Sequence, residues 1–312
     1  LRWFYGFTRF WRSLGNRKRA KGFIAFLLKE QPDVIITTHF LPAEICANLK
    51  RQRRLNATVI SLVTDFLVHA VWVAPGIDHY AVAAEETKAG LLSWGVPKEK
   101  IGVYGIPVSS QFRLSYQKSF YRDQYGLKAD RFTVLIMGGG FGIGRIKRLV
   151  AVFDKYFYDA VQVVVVCGRN DKLKKSLCSA TRRLTLKIFG YVQVINELME
   201  ASDLLITKAG GLTVCEGLAK DLPIVIFDPI PGQEAYNTRF LLERKAAIYL
   251  KPIRKLKAVT KLILNDPKVL VGLKENARAV NNLNAATEIV DFMLVSSQNN
   301  RGVYGASHTG CS

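Results

Sequence analysis

Glycine turns and polar side chains recur at the ends of predicted strands, where they could bind an anion and hydroxyl groups. The most concentrated set lies between Ser202 and Asn237. Gly210 and Gly211 separate a short apolar run from a stretch with helical spacing, and Thr213 falls in its first turn. Glycines let a backbone approach an oxyanion closely, and free amides at a helix start favour negative charge. This turn therefore predicts a phosphate site.

Further polar side chains accompany this turn. Glu216 lies three residues after Thr213 on the same helical face, where it could accept hydrogen bonds from ribose hydroxyls. Gln233 and Glu234, in the segment PIPGQEAYN, offer an amide and a carboxylate that suit sugar hydroxyls. The alternative for a Gly-Gly turn is plain α/β packing. The second polar loop favours a ligand, because both loops leave a parallel sheet at its carboxyl edge.

The first half of the chain offers three candidate acid–base residues. His39 follows the predicted buried strand DVIIT, and Asp65 and His69 lie in the loop after the predicted strand ATVISL. A carboxylate near an imidazole can orient it as a proton acceptor. The alternatives are a packing or loop histidine at position 39, and a solvated aspartate with a surface histidine at positions 65 and 69.

A second glycine-rich segment, GGGFGIG from Gly138 to Gly144, follows the predicted strand TVLIM. It lacks the GxGxxG spacing, and such a loop fits packing or sugar-phosphate binding as well as a dinucleotide. The next predicted strand, QVVVVC, is followed by glycine and Arg169 rather than by an acid, which argues against a dehydrogenase. Arg169 suits a phosphate, and a surface arginine is the alternative.

Strands and helices alternate along the chain, which predicts an α/β fold with parallel, doubly wound sheets. With 312 residues, the chain can hold two domains of ordinary size. We predict a partial amino-terminal domain over residues 1–108, a linker region over 109–130, a carboxy-terminal domain over 131–296 and a mobile tail over 297–312.

Composition narrows the class of protein. An apolar content of 49% with 22% charged residues is typical of a globular protein, and no window is apolar enough for a membrane span. The formal net charge of +20 favours an anionic surface or substrate. The five cysteines (46, 167, 178, 215 and 311) show neither CxxC nor metal-site spacing with the histidines, so we expect reduced thiols and no metal site.

The first 21 residues, LRWFYGFTRFWRSLGNRKRAK, combine basic and aromatic side chains without an acid. Such a segment can lie in a lipid interface with its cations on anionic headgroups. It could also stack the bases of a single-stranded nucleic acid, or pack against a missing part of the domain. Membrane contact is the interpretation we favour.

Several motifs, in order, closely resemble those of the diacylglycerol glycosyltransferases. They are VTDF with His69 and WV, VYGIPV, MGGGFG, VVVVCGRN, FGYV, ITKAGGLTVCEGLA and PIPGQEAYN, and the resemblance covers nearly all of residues 32–294. The family comprises bacterial processive diacylglycerol glucosyltransferases and plastid monogalactosyldiacylglycerol synthases. It shares a superfamily with the peptidoglycan N-acetylglucosaminyltransferase that makes lipid II. The resemblance implies a GT-B fold, in which two Rossmann-like domains face a cleft, with the lipid acceptor on the first domain and the UDP-sugar on the second.

The resemblance also implies roles for individual residues. It assigns the loop under the diphosphate to Gly138, Gly139 and Gly140, the uracil segment to Phe189, Gly190 and Tyr191, the diphosphate turn to Gly210, Gly211, Leu212 and Thr213, the ribose to Glu216, and the donor sugar to Gln233 and Glu234 with Asn237 beside them. The family's first strand and its glycine-rich loop, whose histidine has been assigned the base role, have no counterpart here. The first domain is therefore predicted to be incomplete, and the chain to be a fragment, a truncated product or inactive as it stands.

The implied activity is inverting transfer of a hexose from a UDP-sugar to a diacylglycerol-type lipid. The absence of a DxD motif fits a site without metal, and no cofactor is expected. The expected partners are the UDP-sugar, the lipid acceptor and an anionic membrane surface, with neither nucleic acid nor a dedicated protein partner. A peripheral position on the cytoplasmic face of the membrane is expected. The alternatives are a UDP-sugar enzyme with a soluble substrate, such as an epimerase, and a basic lipid- or nucleic-acid-binding module that has lost catalysis.

Overall fold

The computed structural model of the chain describes residues 20–114, 117–180 and 182–305. The chain separates into two compact units, residues 1–106 with 284–312, and residues 107–283. Most of the basic aromatic segment lies outside the described residues, as does Cys311.

The first unit contains a parallel sheet of four strands in the order β1-β2-β3-β4. The strands are β1 (Val34–Thr37), β2 (Thr58–Leu62), β3 (His79–Val82) and β4 (Ile101–Val103). The helices that precede and connect them are α1 (Lys21–Glu30), α2 (Phe40–Arg51) and α3 (Glu85–Ser93), with short 3-10 turns at Ala70–Trp72 and Lys98–Lys100. The alternation predicted from the sequence is therefore confirmed in this unit.

The burial of each strand matches its position in this sheet. All five residues of β2 are buried, as expected for an inner strand of a parallel sheet covered on both faces. Helix α2 packs Ala43, Cys46 and Ala47 into the same core. Strand β1 lies at the edge of the described sheet, and the Ile36 side chain remains 39% exposed.

The second unit contains a parallel sheet of six strands in the order β10-β9-β8-β5-β6-β7. The strands are β5 (Phe132–Met137), β6 (Val161–Val166), β7 (Thr185–Phe189), β8 (Leu204–Thr207), β9 (Ile224–Ile226) and β10 (Ala247–Tyr249). The helices are α4 (Lys118–Gln124), α5 (Ile146–Tyr156), α6 (Asp171–Cys178), α7 (Ile195–Glu200), α8 (Gly211–Ala219), α9 (Gln233–Glu243), α10 (Leu256–Asn265) and α11 (Pro267–Val280).

The direction of strand addition reverses in the second sheet. Strands β5, β6 and β7 are added on one side, and β8 then pairs with the other side of β5. The connections diverge there, so a crevice opens at the carboxyl ends of β5 and β8, where ligands of doubly wound sheets bind. This switch point lies between the two glycine-rich turns.

The final helix changes the predicted domain boundaries. Helix α12 (Ala285–Gly305) continues through most of the segment predicted as a mobile tail over 297–312. Its Ile289 packs against Ile60 and Leu62 of the first sheet, so residues 284–305 belong with the first unit and not with a domain over 131–296. The apolar face of this helix must pack against another element, but the sequence pattern of the helix does not indicate which of the two sheets that is.

The predicted linker over 109–130 is also structured. Helix α4 lies within it, and its Arg122 guanidinium donates a hydrogen bond to the Ala201 carbonyl (3.0 Å) and pairs with Asp203 (2.5 Å). The linker region therefore belongs mainly to the second unit, because the partly buried ion pair between Arg122 and Asp203 fixes it to the start of β8.

Candidate active site

The carboxyl edge of the second sheet gathers the candidate binding residues. The loops after β5 (138–144), β6 (167–170), β7 (190–191), β8 (208–210) and β9 (227–232) all leave this edge. Because the strands are parallel, every binding residue predicted from the second half of the chain lies at or just beyond it. The structure thus brings together side chains that are up to about a hundred positions apart in sequence.

The loop after β5 is held by its own backbone. The Gly142 amide donates to the Gly139 carbonyl (3.0 Å), and the Arg169 amide donates to the Gly140 carbonyl (2.9 Å). Gly168 has a φ of +55°, and a Cβ there would overlap the Gly140 carbonyl. The glycine after β6 is therefore required so that the two loops can approach each other.

Gly210 has a different explanation. It has a φ of −69°, which suits any residue, and a Cβ placed on it would meet nothing within 4 Å. The same open space surrounds Gly139 and Gly140. Neither backbone strain nor crowding requires glycine at position 210, so the space in front of α8 is free for another molecule.

Helix α8 directs free amides into this space. It begins at Gly211, and its N-cap Gly210 supplies no side-chain hydrogen bond, so the amides of the first turn, including Leu212 and Thr213, lack a side-chain cap. The helix dipole adds partial positive charge at the same end. The arrangement suits a diphosphate.

Glu216 lies one turn further along α8. Its side chain is partly buried, and within the described residues its carboxylate has neither a hydrogen-bond donor nor an ion-pair partner. Burial alone raises the pKa of this carboxyl from 4.5 to about 7. A desolvated acceptor without a partner is suited to bind hydroxyl groups of a ligand.

Glu234 at the start of α9 is held by two groups. One carboxylate oxygen accepts from the Ile230 amide (2.6 Å), and the other lies 3.3 Å from the Lys208 ammonium. Lys208 is only 5% exposed and follows β8 directly. Sequence reasoning missed Lys208, although a lysine immediately after an apolar strand at the ligand edge is a usable signal.

Gln233 and Asn237 share helix α9 with Glu234 but differ in exposure. Gln233 is exposed at the first helical position. Asn237 is completely buried, and its side-chain amide donates to the Ala209 carbonyl (3.0 Å). The structure therefore gives Asn237 a part in fixing the turn before α8, which the sequence did not predict.

A second ion pair joins two of the loops. The Arg145 guanidinium binds the Asp228 carboxylate (Nε to Oδ2 2.8 Å), and the Arg145 amide donates to the same oxygen (3.2 Å). The hydrogen bond from Arg145 lowers the pKa of Asp228 below its ordinary value. This pair fixes the end of the glycine-rich loop to the loop after β9, and sequence reasoning missed both residues.

The far side of the site is aromatic and cationic. The Arg169 guanidinium lies 5.4 Å from the centre of the Tyr191 ring, which is 62% exposed. Phe189 ends β7 and packs edge-on against Tyr125, with the ring centres 5.7 Å apart. Gly190 lies between Phe189 and Tyr191 in the sequence and is partly buried. These residues form a wall suited to a planar base.

The two candidate histidines of the first unit cap helices. His39 Nδ1 accepts from the Leu41 amide (3.2 Å) at the start of α2, and His69 Nδ1 accepts from the Val71 amide (3.3 Å) at the start of the 3-10 turn. In a neutral imidazole that accepts at Nδ1, the proton is on Nε2. Either histidine would have to release its cap before Nδ1 could take up a proton.

Asp65 lies in the same region but is only 8% exposed, so the alternative of a solvated aspartate is wrong. The His39 and Trp72 rings lie 6.4 Å apart, which places the loops after β1 and β2 side by side at the carboxyl edge of the first sheet. No group of three or more His, Cys, Asp or Glu residues within the described ranges could hold a metal ion.

Two family models match the chain. The model for monogalactosyldiacylglycerol (MGDG) synthase matches residues 13–108, and that for the glycosyltransferase family 28 C-terminal domain matches residues 133–292. A processive diacylglycerol beta-glucosyltransferase of Bacillus cytotoxicus is 33% identical over 287 residues, covering 91% of this chain and 72% of the relative. The enzyme of that name from Bacillus thuringiensis is 34% identical with the same coverage.

Solved structures confirm the predicted fold. MurG of Acinetobacter baumannii has a TM-score of 0.62 at 17% identity, covering 90% of this chain and 78% of that one. The UDP-GlcNAc 2-epimerase of Neisseria meningitidis has a TM-score of 0.68 at 14% identity, covering 89% and 81%. At these identities the likeness establishes the fold, which is GT-B, with a Rossmann-like parallel sheet in each unit. Together with the matching sequence relatives, this shows that the chain belongs to the diacylglycerol glycosyltransferase family.

Proposed function

We propose that this chain transfers a hexose from a UDP-sugar to the hydroxyl of a diacylglycerol-type lipid, with inversion, at the surface of a membrane. One observation supports the donor most directly. The open turn before α8 lies one helical turn from Glu216, a partly buried carboxylate without a partner in the described chain. A diphosphate and an adjacent ribose match this pair of features.

The remaining donor contacts follow from the geometry of the second unit. Uracil would lie against Tyr191 and Arg169, and its edge would meet the backbone at Gly190. The donor sugar would lie at the start of α9, where Gln233 is exposed and Glu234 is held by Lys208. A carboxylate that accepts two hydrogen bonds or charged contacts still has lone pairs for a sugar hydroxyl.

The chemical step needs a base and a stabilised leaving group. A base on the first unit would remove the proton from the lipid hydroxyl, whose oxygen attacks the anomeric carbon while the bond to UDP breaks. The amides of the first α8 turn would stabilise the negative charge that develops on the departing diphosphate. In this scheme, no metal or cofactor is required. His39, Asp65 and His69 are the candidates for the base.

A peripheral position on the cytoplasmic face of the membrane is part of the proposal. The net charge of +20 would attract anionic headgroups, and the acceptor itself is a membrane lipid. Within the described residues, no helix is both long and apolar enough to cross a bilayer.

The decisive test combines UDP titration with transfer in vesicles. Calorimetric titration with UDP should give binding that Glu216→Ala weakens. Incubation with UDP-glucose and vesicles containing diacylglycerol should give a glycolipid. Turnover of the UDP-sugar without lipid would instead support a soluble-substrate enzyme, a candidate that the structural likeness to a UDP-GlcNAc 2-epimerase favours. UDP binding without any turnover would indicate an inactive lipid-binding fragment.

Substitution of Gly210 by Ala tests the open space in front of α8. The protein should fold with a stability change within about 1 kcal/mol, because reduced chain entropy opposes the poorer N-cap. UDP affinity should fall about ten-fold or more, since the new methyl group would occupy the ligand's space and cost at least one charge-assisted hydrogen bond.

Gly22→Ala is the matched control for this change. Gly22 lies in α1, and a Cβ there also meets nothing within 4 Å. This variant should bind UDP as the wild type does. Unchanged UDP binding by Gly210→Ala would place the diphosphate elsewhere.

Two substitutions at His69 separate capping from base catalysis. His69→Ala removes the cap of the 3-10 turn and should lower stability by about 1 kcal/mol, whereas His69→Asn should restore it because asparagine also caps. Transfer by the Asn variant, measured in vesicles, should fall by about 100-fold or more if His69 is the general base. If His69→Asn transfers hexose at the wild-type rate, His69 is not the base and its role is to cap the 3-10 turn.

A further inference from the structure

A cavity lies at the amino-terminal edge of the first sheet, away from the carboxyl edge that carries His39 and His69. Its volume is about 470 Å³, within the range of small-molecule sites. The walls are mainly apolar and include Val73, Ile77, Tyr80, Trp94, Val96 and Pro97. None of the candidate donor-binding or acid–base residues lines it. The cavity is therefore separate from the site described above.

Two backbone segments form the cavity and are fixed in place. One runs from the 3-10 turn to β3, and its Ala74 amide donates to the Tyr80 hydroxyl (3.0 Å). Gly76 in this segment packs so closely on α2 that a Cβ would lie 2.6 Å from the Ala47 carbonyl oxygen. The other segment leaves α3 through Gly95, whose φ is +83°, and leads to β4. The cavity is thus preformed.

Basic side chains lie on or next to the walls of this cavity. Lys100 lines it, and its ammonium donates to the Ile77 carbonyl (3.2 Å). Lys98 is exposed in the same 3-10 turn, with Glu99 as the acid between them. Arg51 lies beside the wall, with its Cγ 3.2 Å from a Cβ placed on Gly76. None of these three cations forms an ion pair within the described part of the first unit.

We propose that this cavity binds one acyl chain of an anionic phospholipid, with the lipid phosphate on Lys98, Lys100 and Arg51. The apolar walls match the chain, and the unpaired cations match the phosphate. A chain that leaves a bilayer exchanges one apolar environment for another. The favourable free energy of binding therefore comes from the removal of water from the apolar cavity walls and from the phosphate contacts.

The consequence is a second lipid site that neither the donor nor the acceptor occupies. A phospholipid held there would attach the first unit to the membrane at its amino edge. The site goes beyond the proposed transfer reaction and does not depend on it, because it needs no UDP-sugar. Its selectivity for anionic over neutral lipid follows from the charges of Lys98, Lys100 and Arg51.

Trp94 provides a direct readout, because bromine on an acyl chain quenches indole fluorescence on contact. Two sets of vesicles contain the same mixture of phosphatidylglycerol and phosphatidylcholine, with bromine on the chains of one lipid or of the other. The difference between wild type and Trp94→Phe isolates this signal from those of Trp3, Trp11 and Trp72. Brominated phosphatidylglycerol should quench most of the Trp94 signal, and brominated phosphatidylcholine should quench little.

Variants test the location of the lipid. Val73→Phe fills the cavity from its wall and should abolish the difference between the two vesicle sets, whereas Leu92→Phe, on the exposed face of α3, should retain it. Replacing Lys98 and Lys100 by Gln should weaken binding about five-fold for each lysine, which tests the phosphate contacts while every apolar side chain of the walls is kept.

Three results would overturn the proposal. They are equal quenching by both brominated lipids, quenching by phosphatidylglycerol that survives Val73→Phe, and binding that is indifferent to the loss of both lysines. Since no sugar donor is present in these experiments, such a result would leave the proposed transferase activity untouched.

Discussion

Glu216→Gln is expected to weaken UDP binding by about 10- to 100-fold while stabilising the unliganded protein above neutral pH. The affinity falls because charge-assisted hydrogen bonds from ribose hydroxyls contribute about 1.5–3 kcal/mol, and an amide cannot replace them fully. The stability rises because the substitution removes a carboxylate that is partly buried and has no partner within the described residues. Opposite signs for binding and stability are the signature of a residue held ready for a ligand.

The pH dependence of stability follows from the pKa of Glu216. Burial raises this pKa to about 7 in the folded chain, from an ordinary value of 4.5. Between these values the folded state holds a proton that the unfolded state has lost, so the free energy of unfolding falls as pH rises from about 4.5 to about 7. The penalty is complete above that window and amounts to roughly 3 kcal/mol.

Denaturant unfolding at pH 5 and pH 8 measures this effect. The wild type should lose stability between the two pH values relative to Glu216→Gln, since glutamine does not ionise. UDP should bind with release of up to one proton near pH 7, because ribose hydroxyls favour the ionised carboxylate. Calorimetry in buffers with different ionisation enthalpies would detect that proton.

Glu275→Gln is the matched control, because Glu275 is an exposed acid on α11. Glu275→Gln should bind UDP as tightly as the wild type does. It should also lose as much stability between pH 5 and pH 8 as the wild type does. If Glu216→Gln binds UDP as tightly as the wild type, the ribose assignment is wrong. If Glu216→Gln and the wild type show the same dependence of stability on pH, burial of the Glu216 carboxylate does not destabilise the folded protein.

The order of elements and the sheet edge that holds the candidate site could be predicted from the sequence. Alternating strands and helices require parallel pairing, and parallel pairing places every βα loop at the carboxyl edge. Local pattern was therefore enough to find the turn at Gly210 and the acid at Glu216. It was not enough to find the switch point beside β5, which depends on the order of strands in space.

Contacts between distant loops were beyond the reach of local pattern. Arg145 and Asp228 are 83 positions apart, and they meet because the loops after β5 and β9 leave the same edge of the sheet. The histidine caps were missed for another reason. Ser, Thr, Asp and Asn are the usual N-caps, so His39 and His69 gave no capping signal. The sequence offered them only acid–base chemistry or a packing, loop or surface position.

Lys208→Met is expected to reduce hexose transfer by about 100-fold while leaving UDP affinity within about three-fold of the wild type. The Lys208 ammonium lies beneath the site and contacts Glu234 (3.3 Å), so its loss should free that carboxylate to move. A displacement of about 1 Å at a positioning residue can cost 100-fold in rate. The uracil, ribose and diphosphate contacts lie on other residues, so UDP itself should bind normally.

A comparison of ligands and a double variant separate this positioning role from a structural one. UDP-glucose should lose its added affinity over UDP in Lys208→Met, because only the sugar contacts the start of α9. Breaking a buried ion pair is costly, whereas removing both charges is far less so. Lys208→Met with Glu234→Gln should therefore recover stability without recovering transfer. Recovery of both would show that Lys208 serves folding alone, whereas a matching loss of UDP affinity in the single variant would place its ammonium on the diphosphate.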